Sequence, residues 1–318
     1  MAALIGLDFK PAPPHRADGC ITFLETFQRR ENEMTLVAVW YRPEHDDVYA
    51  IADSRLTGVS GPLTDQAPKF TTARIQCFVQ NSKNQFETKV LDREIAIGYA
   101  GSSSVAFATI ATFQAYVSTL VLKQGSTPTL SQIGDLAKRI LDKNFREFGK
   151  LWANDARCDL LVFGFLPADN ELKCFHLSSN VIANSIVTHC DELPVVTERT
   201  CHAFGSCAAY YTERLKADMA ATGNFHPFNM LNAIIKEGVR TDIGGFIQVA
   251  LASKNGVKLP HVLSPRFDLG DDKADVTFLG RDALEIGKVG DCEVGKDAVG
   301  PDLLAIAKMR DVARRTPS

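Results

Sequence analysis

The chain has 318 residues, 45% hydrophobic and 23% charged, with a formal net charge of −3 and a pI of about 6.2. A globular chain of that length buries a substantial core without disulfides or metals, and it presents no global basic field for nucleic acid. No apolar run reaches the roughly 18–20 residues of a membrane span, and the four residues after Met1 are too few for the apolar segment of a secretory signal.

The eight cysteines (20, 77, 158, 174, 190, 201, 207, 292) are scattered with no CxxC pair, which points to free thiols in a reducing, cytoplasmic setting. The seven histidines show neither HExxH nor HxH, and no GxGxxG or Walker motif occurs. Neither a metal, a cofactor nor a nucleotide is therefore expected.

Residues 1–33 match nothing that follows. "KPAPPHRADG" is Pro-rich and polar, and "CITFLETFQRREN" fits a short helix or a strand. This segment is an added element on the domain, a dispensable leader, or an upstream extension of a reading frame that starts at Met34.

From Thr35 the pattern is regular. "TLVAVWY" and "VYAIAD" read as strands around the turn "RPEHDD", followed by strands in "KFTTARIQCFVQ" and "NQFETKVLDREIAIGYAG". Residues 102–122 are Ala/Val-rich and read as a buried helix. Residues 129–152 carry apolar residues at Ile133, Leu136, Ile140, Leu141 and Phe145, an amphipathic helix capped by Ser131 or Thr129.

The second half repeats the order. Strands are expected in "CDLLVFGFLP", "ELKCFHLSS", "NSIVTHC" and "CHAFGS", then helices in "CAAYYTERLKADMAA" and "PFNMLNAIIKEGV", with Pro227 in the first turn of the latter. "GGFIQVALASKNG" is a buried strand closed by an Asn-Gly turn. Beyond 258 come weak strands near "VTFLG" and a terminal helix in "PDLLAIAKMRDVARR". Helices in consecutive pairs, rather than in strict alternation with strands, predict an α+β fold: a four-layer αββα sandwich of two antiparallel sheets between helical layers. The expected organisation is an N-terminal extension over 1–34, a sandwich domain over 35–255 and a C-terminal extension over 256–318.

The series Thr35, Ala-Asp-Ser-Arg at 52–55, Lys69, "YAGSSS" at 99–104 and "FGS" at 204–206 resembles the proteasome β-subunit group of N-terminal-nucleophile hydrolases, which includes bacterial self-compartmentalising peptidases. The likeness covers about residues 35–255 as an order of elements and motifs. Asp53 and Lys69 are 16 positions apart, the family's separation, and Thr35 precedes Asp53 by 18, two more than usual. The hairpin loop between them absorbs such an insertion.

A threonine hydroxyl needs a base to become nucleophilic, and the α-amine of a first residue supplies one, with an unperturbed pKa of about 7.7–8.0. By the resemblance, Thr35 is the nucleophile. Lys69 as a cation orients the hydroxyl, and Asp53 pairs with Lys69; a structural ion pair is the other reading of those two charges. The Gly101 N–H stands at a helix start as an oxyanion donor, or Gly101 is a plain turn glycine before a Ser-rich cap. Ser206 matches the serine that supports the nucleophile's amino end. The following glycine of the family is Cys207 here, a buried thiol or a second nucleophile.

The family's Asp and Ser before a Gly-Gly pair are replaced by Arg240 and Ile243. Asp242 does the supporting job from a shifted position, or that support is lost. Glu33-Met34-Thr35 also lacks the glycine after which such precursors cleave themselves; a start at Met34 with methionine removal would expose Thr35 directly.

The function implied is a threonine-type peptidase, cytoplasmic, acting on a peptide or other amide and assembled as a homo-oligomeric ring or cylinder, its ATPase partner unspecified. An amidase for small molecules, or a silent structural subunit blocked by residues 1–33, are the alternatives. Neither a membrane nor nucleic acid is an expected partner.

Overall fold

The first strands show how the sequence builds the interior. In β1 (Val37–Arg42), Val37 and Val39 face one apolar cluster while Ala38 and Trp40 face another. In β2 (Asp47–Ala52) all six residues are buried, with Val48, Ala50 and Ala52 on one side and Tyr49 and Ile51 on the other. A strand repeats every two residues, so such double burial means that both faces of the sheet are covered.

The computed structural model describes residues 35–299 except 59–60, 84, 153–155, 183–184, 195–199, 266–273, 287 and 295–296. After β2 come the short hairpin β3 (Leu56–Gly58) and β4 (Gly61–Thr64), then β5 (Phe70–Val79), β6 (Thr88–Gly101), helix α1 (Ser103–Val117), β7 (Leu120–Leu122) and α2 (Leu130–Trp152). The second half runs β8 (Cys158–Phe165), β9 (Leu172–Ile182), β10 (Ser185–Glu192), β11 (Cys201–Phe204), α3 (Ala208–Thr222), α4 (Pro227–Glu237), β12 (Gln248–Ser253) and β13 (Gly256–Lys258). Strands β14 (His261–Pro265), β15 (Ala274–Phe278) and β16 (Arg281–Asp282) follow.

The result is a mixed α/β structure with several sheets. A five-stranded sheet has the order β11-β1-β2-β12-β13, and a six-stranded sheet the order β10-β9-β8-β6-β5-β7. Every pairing in the first is antiparallel. In the second, β7 runs parallel to β5.

That parallel edge amends the expectation for residues 102–122. The helix stops at Val117, because Ser118 and Thr119 turn their hydroxyls back onto the carbonyls of Ala115 and Tyr116. The next three residues return to the sheet edge as a strand. The amphipathic helix α2 begins where expected, and Thr129 is its cap: the Thr129 hydroxyl accepts from the Gln132 N–H at 3.3 Å while Gln132 Oε1 accepts from the Thr129 N–H at 3.1 Å.

Three apolar clusters fill the interior. One joins the six-stranded sheet to α1 and α2 through Ile95, Ile97, Leu160, Phe113 and Phe145. Another joins the five-stranded sheet to α3 and α4 through Trp40, Ile51, Tyr211 and Leu231. The third draws on both sheets, with Val39, Ala50 and Ala250 from one and Ala96, Leu161 and Phe163 from the other.

In the C-terminal part β14, β15, β16 and the short strand Ala298–Val299 form a four-stranded sheet. Its tight turn carries positive φ at Leu279 (49°) and Gly280 (78°). The turn brings Gly280 so close to Ser54 and Gln248 that a Cβ would strike the Ser54 side chain. The helix expected over 301–315 and the extension over 1–34 lie outside the described residues. None of the described helices is long and apolar enough to cross a membrane.

Candidate active site

Thr35 and Leu36 lead into β1, and Asp53 follows β2, so the hairpin register sets Leu36 opposite Asp53. The two are bonded both ways: the Leu36 N–H donates to Asp53 Oδ1 at 3.0 Å, and the Asp53 N–H donates to the Leu36 carbonyl at 3.3 Å. Thr35 and Asp53 are fully buried. Lys69 stands one residue before β5 and is 1% exposed. Its ammonium donates to Thr35 Oγ1 at 2.6 Å and lies 5.1 Å over the Tyr99 ring.

This geometry has a chemical consequence. A hydroxyl has one proton and two lone pairs. One lone pair of that oxygen is engaged by Lys69, and the nearby cation stabilises developing negative charge on the oxygen.

Asp53 does not reach Lys69 directly; no ion pair within 4.0 Å joins them. Its carboxylate instead collects backbone donors, Leu36 N–H on Oδ1 and the N–H groups of Gly244 (3.1 Å) and Arg55 (3.2 Å) on Oδ2. It acts on Lys69 through its field while stapling the start of β1 to the loop before β12. Burial raises the Asp53 carboxyl to about 6, against the opposing pull of Lys69 and the three N–H donors. Burial lowers Lys69 to about 8, with Asp53 pulling it back up. Between those values the pair is carboxylate and ammonium.

Gly101 ends β6 with φ +88°, and a Cβ there would meet the Arg157 carbonyl at 2.5 Å. Ser102 then donates its N–H to that same carbonyl at 2.7 Å, and α1 begins at Ser103. Gly205 follows β11 with φ +96°, and a Cβ there would collide with the Thr35 carbonyl. Strand β11 pairs with β1 as Val37↔Phe204, and the chain leaves that pairing at Gly205, just before Ser206. The Ser206 hydroxyl donates to Asp242 Oδ2 at 2.5 Å, so the structure brings those two candidates together. Cys207 is buried and its thiol is pushed up to about 11 by burial and by Asp242, which removes the thiolate a nucleophile needs.

Two residues to which the sequence assigned no role hold this constellation together. Gln248 is fully buried: its Oε1 accepts from the Lys69 N–H at 2.8 Å, and its Nε2 donates to the carbonyls of Ala67 (2.6 Å) and Asp53 (3.3 Å). Its only trace in the sequence is one amide within the apolar run "FIQVALA". Arg55 pairs with Asp65 at 2.6 Å and donates to the carbonyls of Thr241 and Ile243, both at 3.2 Å. It clamps the loop that carries Asp242 and Gly244. Among the described residues no cluster of three or more His, Cys, Asp or Glu is grouped to hold a metal.

No family model matches the chain, and no curated protein matches it significantly. Among solved structures the chain is similar to Anbu (ancestral beta-subunit) from Yersinia bercovieri, at 13% identity and a TM-score of 0.45, covering 89% of this chain and 98% of that one. It is similar to the Gly-1 mutant of Anbu from Hyphomicrobium sp. strain MC1 at 9% identity and a TM-score of 0.47, with the same coverages. A helical assembly of the Anbu complex from Pseudomonas aeruginosa is similar at 15% identity and a TM-score of 0.46, covering 89% of this chain and 97% of that one.

These findings correct the resemblance drawn from the motifs. Membership of the proteasome β-subunit family is carried by no family model and no curated relative, and the solved structures named above are Anbu structures. At TM-scores below 0.5 they assign this chain neither family nor activity, and its function rests on its own residues.

Proposed function

We propose that the protein is a threonine-type amide hydrolase whose nucleophile is the Thr35 hydroxyl and whose base is the α-amine of Thr35 once that residue is first in the chain. The observation that carries this reading is the buried 2.6 Å hydrogen bond from the Lys69 ammonium to Thr35 Oγ1. A lysine sealed from water against a threonine hydroxyl costs desolvation free energy that a purely structural contact has little reason to spend.

In the proposed reaction the α-amine takes the hydroxyl proton and Oγ adds to the amide carbonyl, with the negative oxygen received by the Gly101 N–H. The C–N bond then breaks, the leaving amine takes the proton, and an ester remains on Thr35. Water adds to that ester with the amine again as base, releasing the acid and restoring the hydroxyl. Lys69 stays a cation throughout and Asp53 a carboxylate. Ser206 and Asp242 orient the amino end.

In the full chain the Thr35 nitrogen is a peptide nitrogen joined to Met34, so the chain is silent until residues 1–34 are absent, by a start at Met34 or by cleavage. A permanently silent subunit is the second reading, favoured by the complete burial of Thr35. We assign the hydrolase to residues 35–255 as a four-layer αββα sandwich, a layering supported by the three apolar clusters. Residues 256–318 form the C-terminal extension, and the Leu279–Gly280 turn lies against the site. Self-association fits helix α1, which contains no charged residue and exposes Phe107 and Tyr116. A peptide is the substrate we favour.

The test is acylation by a β-lactone probe of both the full chain and a chain started at Met34, read by intact and peptide mass. The expected result is one adduct on Thr35 in the form whose first residue is threonine, absent in Thr35→Ala. A folded protein with a free Thr35 amine and no adduct makes the silent reading correct.

A further inference from the structure

Asp242 is held from two sides. Ser206 donates its hydroxyl proton to Oδ2, while Arg240 Nε donates to Oδ1 at 2.8 Å and Arg240 Nη2 to Oδ2 at 2.7 Å. This is a two-pronged guanidinium–carboxylate pair, which fixes direction as well as charge. Arg240 and Asp242 are separated by one residue in a loop whose backbone carbonyls Arg55 also grips.

The arrangement determines what Ser206 can do for its neighbour. Its single proton is committed to Asp242, so only lone pairs remain for any other partner. Gly205, the residue before Ser206, lies against the Thr35 carbonyl, which brings Ser206 to the amino end of Thr35. A free Thr35 amine donating one N–H to Ser206 would have its own lone pair turned away from Ser206, available to the Thr35 hydroxyl proton. Were Asp242 to lose its charge or swing away, Ser206 could rotate, donate to the amine and occupy the lone pair that must act as base.

We propose that Arg240 is a positioning residue of the threonine site, acting through Asp242 and Ser206 to aim the base lone pair of Thr35. The inference rests on the threonine-hydrolase reading above. It gives a role to the arginine that stands where the motif comparison led one to expect an aspartate. Among the described residues, Arg55 and Cys207 also sense the Asp242 charge. Burial pushes the Asp242 carboxyl up, and the hydrogen bonds from Arg240 and Ser206 outweigh it, holding the group below its usual range.

The experiment measures the rate of β-lactone acylation of Thr35 against pH, in whichever of the two chain forms the wild type labels. The variants are Arg240→Ala, Arg240→Lys and Arg214→Ala. The last removes another two-pronged pair, in which Arg214 of α3 meets Glu237 at the end of α4 and bonds to neither Asp242 nor Ser206. Arg240→Ala is expected to slow acylation at neutral pH by roughly tenfold to a hundredfold, the scale of a misaimed reacting group. It should also move the acid side of the profile to higher pH and leave the probe's saturation concentration nearly unchanged.

Arg240→Lys should restore the position of the profile and only part of the rate, because it returns the charge without the fork. Arg214→Ala should label at the wild-type rate. Wild-type rate and profile in Arg240→Ala overturn the inference, as does equal slowing in Arg214→Ala. If Arg240→Ala does not fold, Arg240→Lys alone decides: full wild-type rate overturns the proposal. Absence of labelling in wild type in both forms is a different result and refutes the hydrolase reading itself.

Discussion

The two sides of Thr35 are built on opposite principles. On one side Lys69 and Asp53 are sealed from water, share no direct bridge, and are held by backbone groups and by Gln248. On the other, Ser206, Asp242 and Arg240 form a direct chain of hydrogen bonds, with the Arg240 side chain 37% exposed. Burial makes a charge strong and expensive, whereas exposure makes it cheap and adjustable. The sealed side is suited to supplying field at the hydroxyl, and the open side to supplying direction at the amine.

The largest effect should come from the sealed side. Lys69→Ala removes the cation at the hydroxyl and is expected to slow Thr35 acylation at least about a thousandfold, the scale on which removal of a preorganised donor falls. Asp53→Asn should slow it roughly a hundredfold while leaving a folded protein, since two of the three backbone donors can still be accepted. Equal, small losses from Lys69→Ala and from Ser206→Ala would erase the distinction between the sides.

A second prediction uses pH. Acylation should rise with pH as the Thr35 amine loses its proton, from an ordinary value of about 7.7–8.0, with Asp53 already a carboxylate above about 6, and fall as Lys69, at about 8, loses its own proton. Stability should show the cost of the same design. Lys69 binds its proton less tightly folded (about 8) than unfolded (10.5). Its contribution is therefore least favourable below about pH 8 and improves as pH rises from there toward 10.5. Relative to Lys69→Met, wild type should gain roughly 3 kcal/mol across that interval in chemical denaturation. A difference that stays flat with pH would mean that Lys69 is solvated.

Smaller effects separate fold from site. Phe163→Ala, in the cluster shared by both sheets and fully buried, should cost about 3–5 kcal/mol of stability. Acylation by the remaining folded fraction should change little. Gly205→Ala should do the reverse: with φ +96° and the Thr35 carbonyl in the path of its Cβ, it is expected to cost about 1–3 kcal/mol and to displace the nucleophile. Melting midpoints and acylation rates measured on the same preparations distinguish the two.

How far the sequence reached follows the same division. Alternating strands, the amphipathic α2 and the helix start at Pro227 were readable because each rests on local periodicity or capping. Thr35, Asp53 and Lys69 were named together by the motif resemblance, and the structure places the Lys69 ammonium on the Thr35 hydroxyl. The β7 edge strand was hidden inside an apolar run that also suits a helix, and the end of α1 was decided by two hydroxyls. Gln248 was hidden for another reason: its bonds to Lys69, Ala67 and Asp53 span 179 to 195 positions, and nothing local marks that amide as a hub. The Asp53–Lys69 pairing that the resemblance implied is made through the field, while the Asp53 oxygens take backbone donors, which no side-chain pattern announces.

The most direct measurement is the adduct formed with an epoxyketone, a probe that closes a ring only when a hydroxyl and an amine of one residue act together. The account predicts a single such ring on the oxygen and nitrogen of Thr35 in the threonine-first protein, lost in Lys69→Ala. A folded threonine-first protein that stays unmodified, or carries the probe on Cys207 instead, would contradict it.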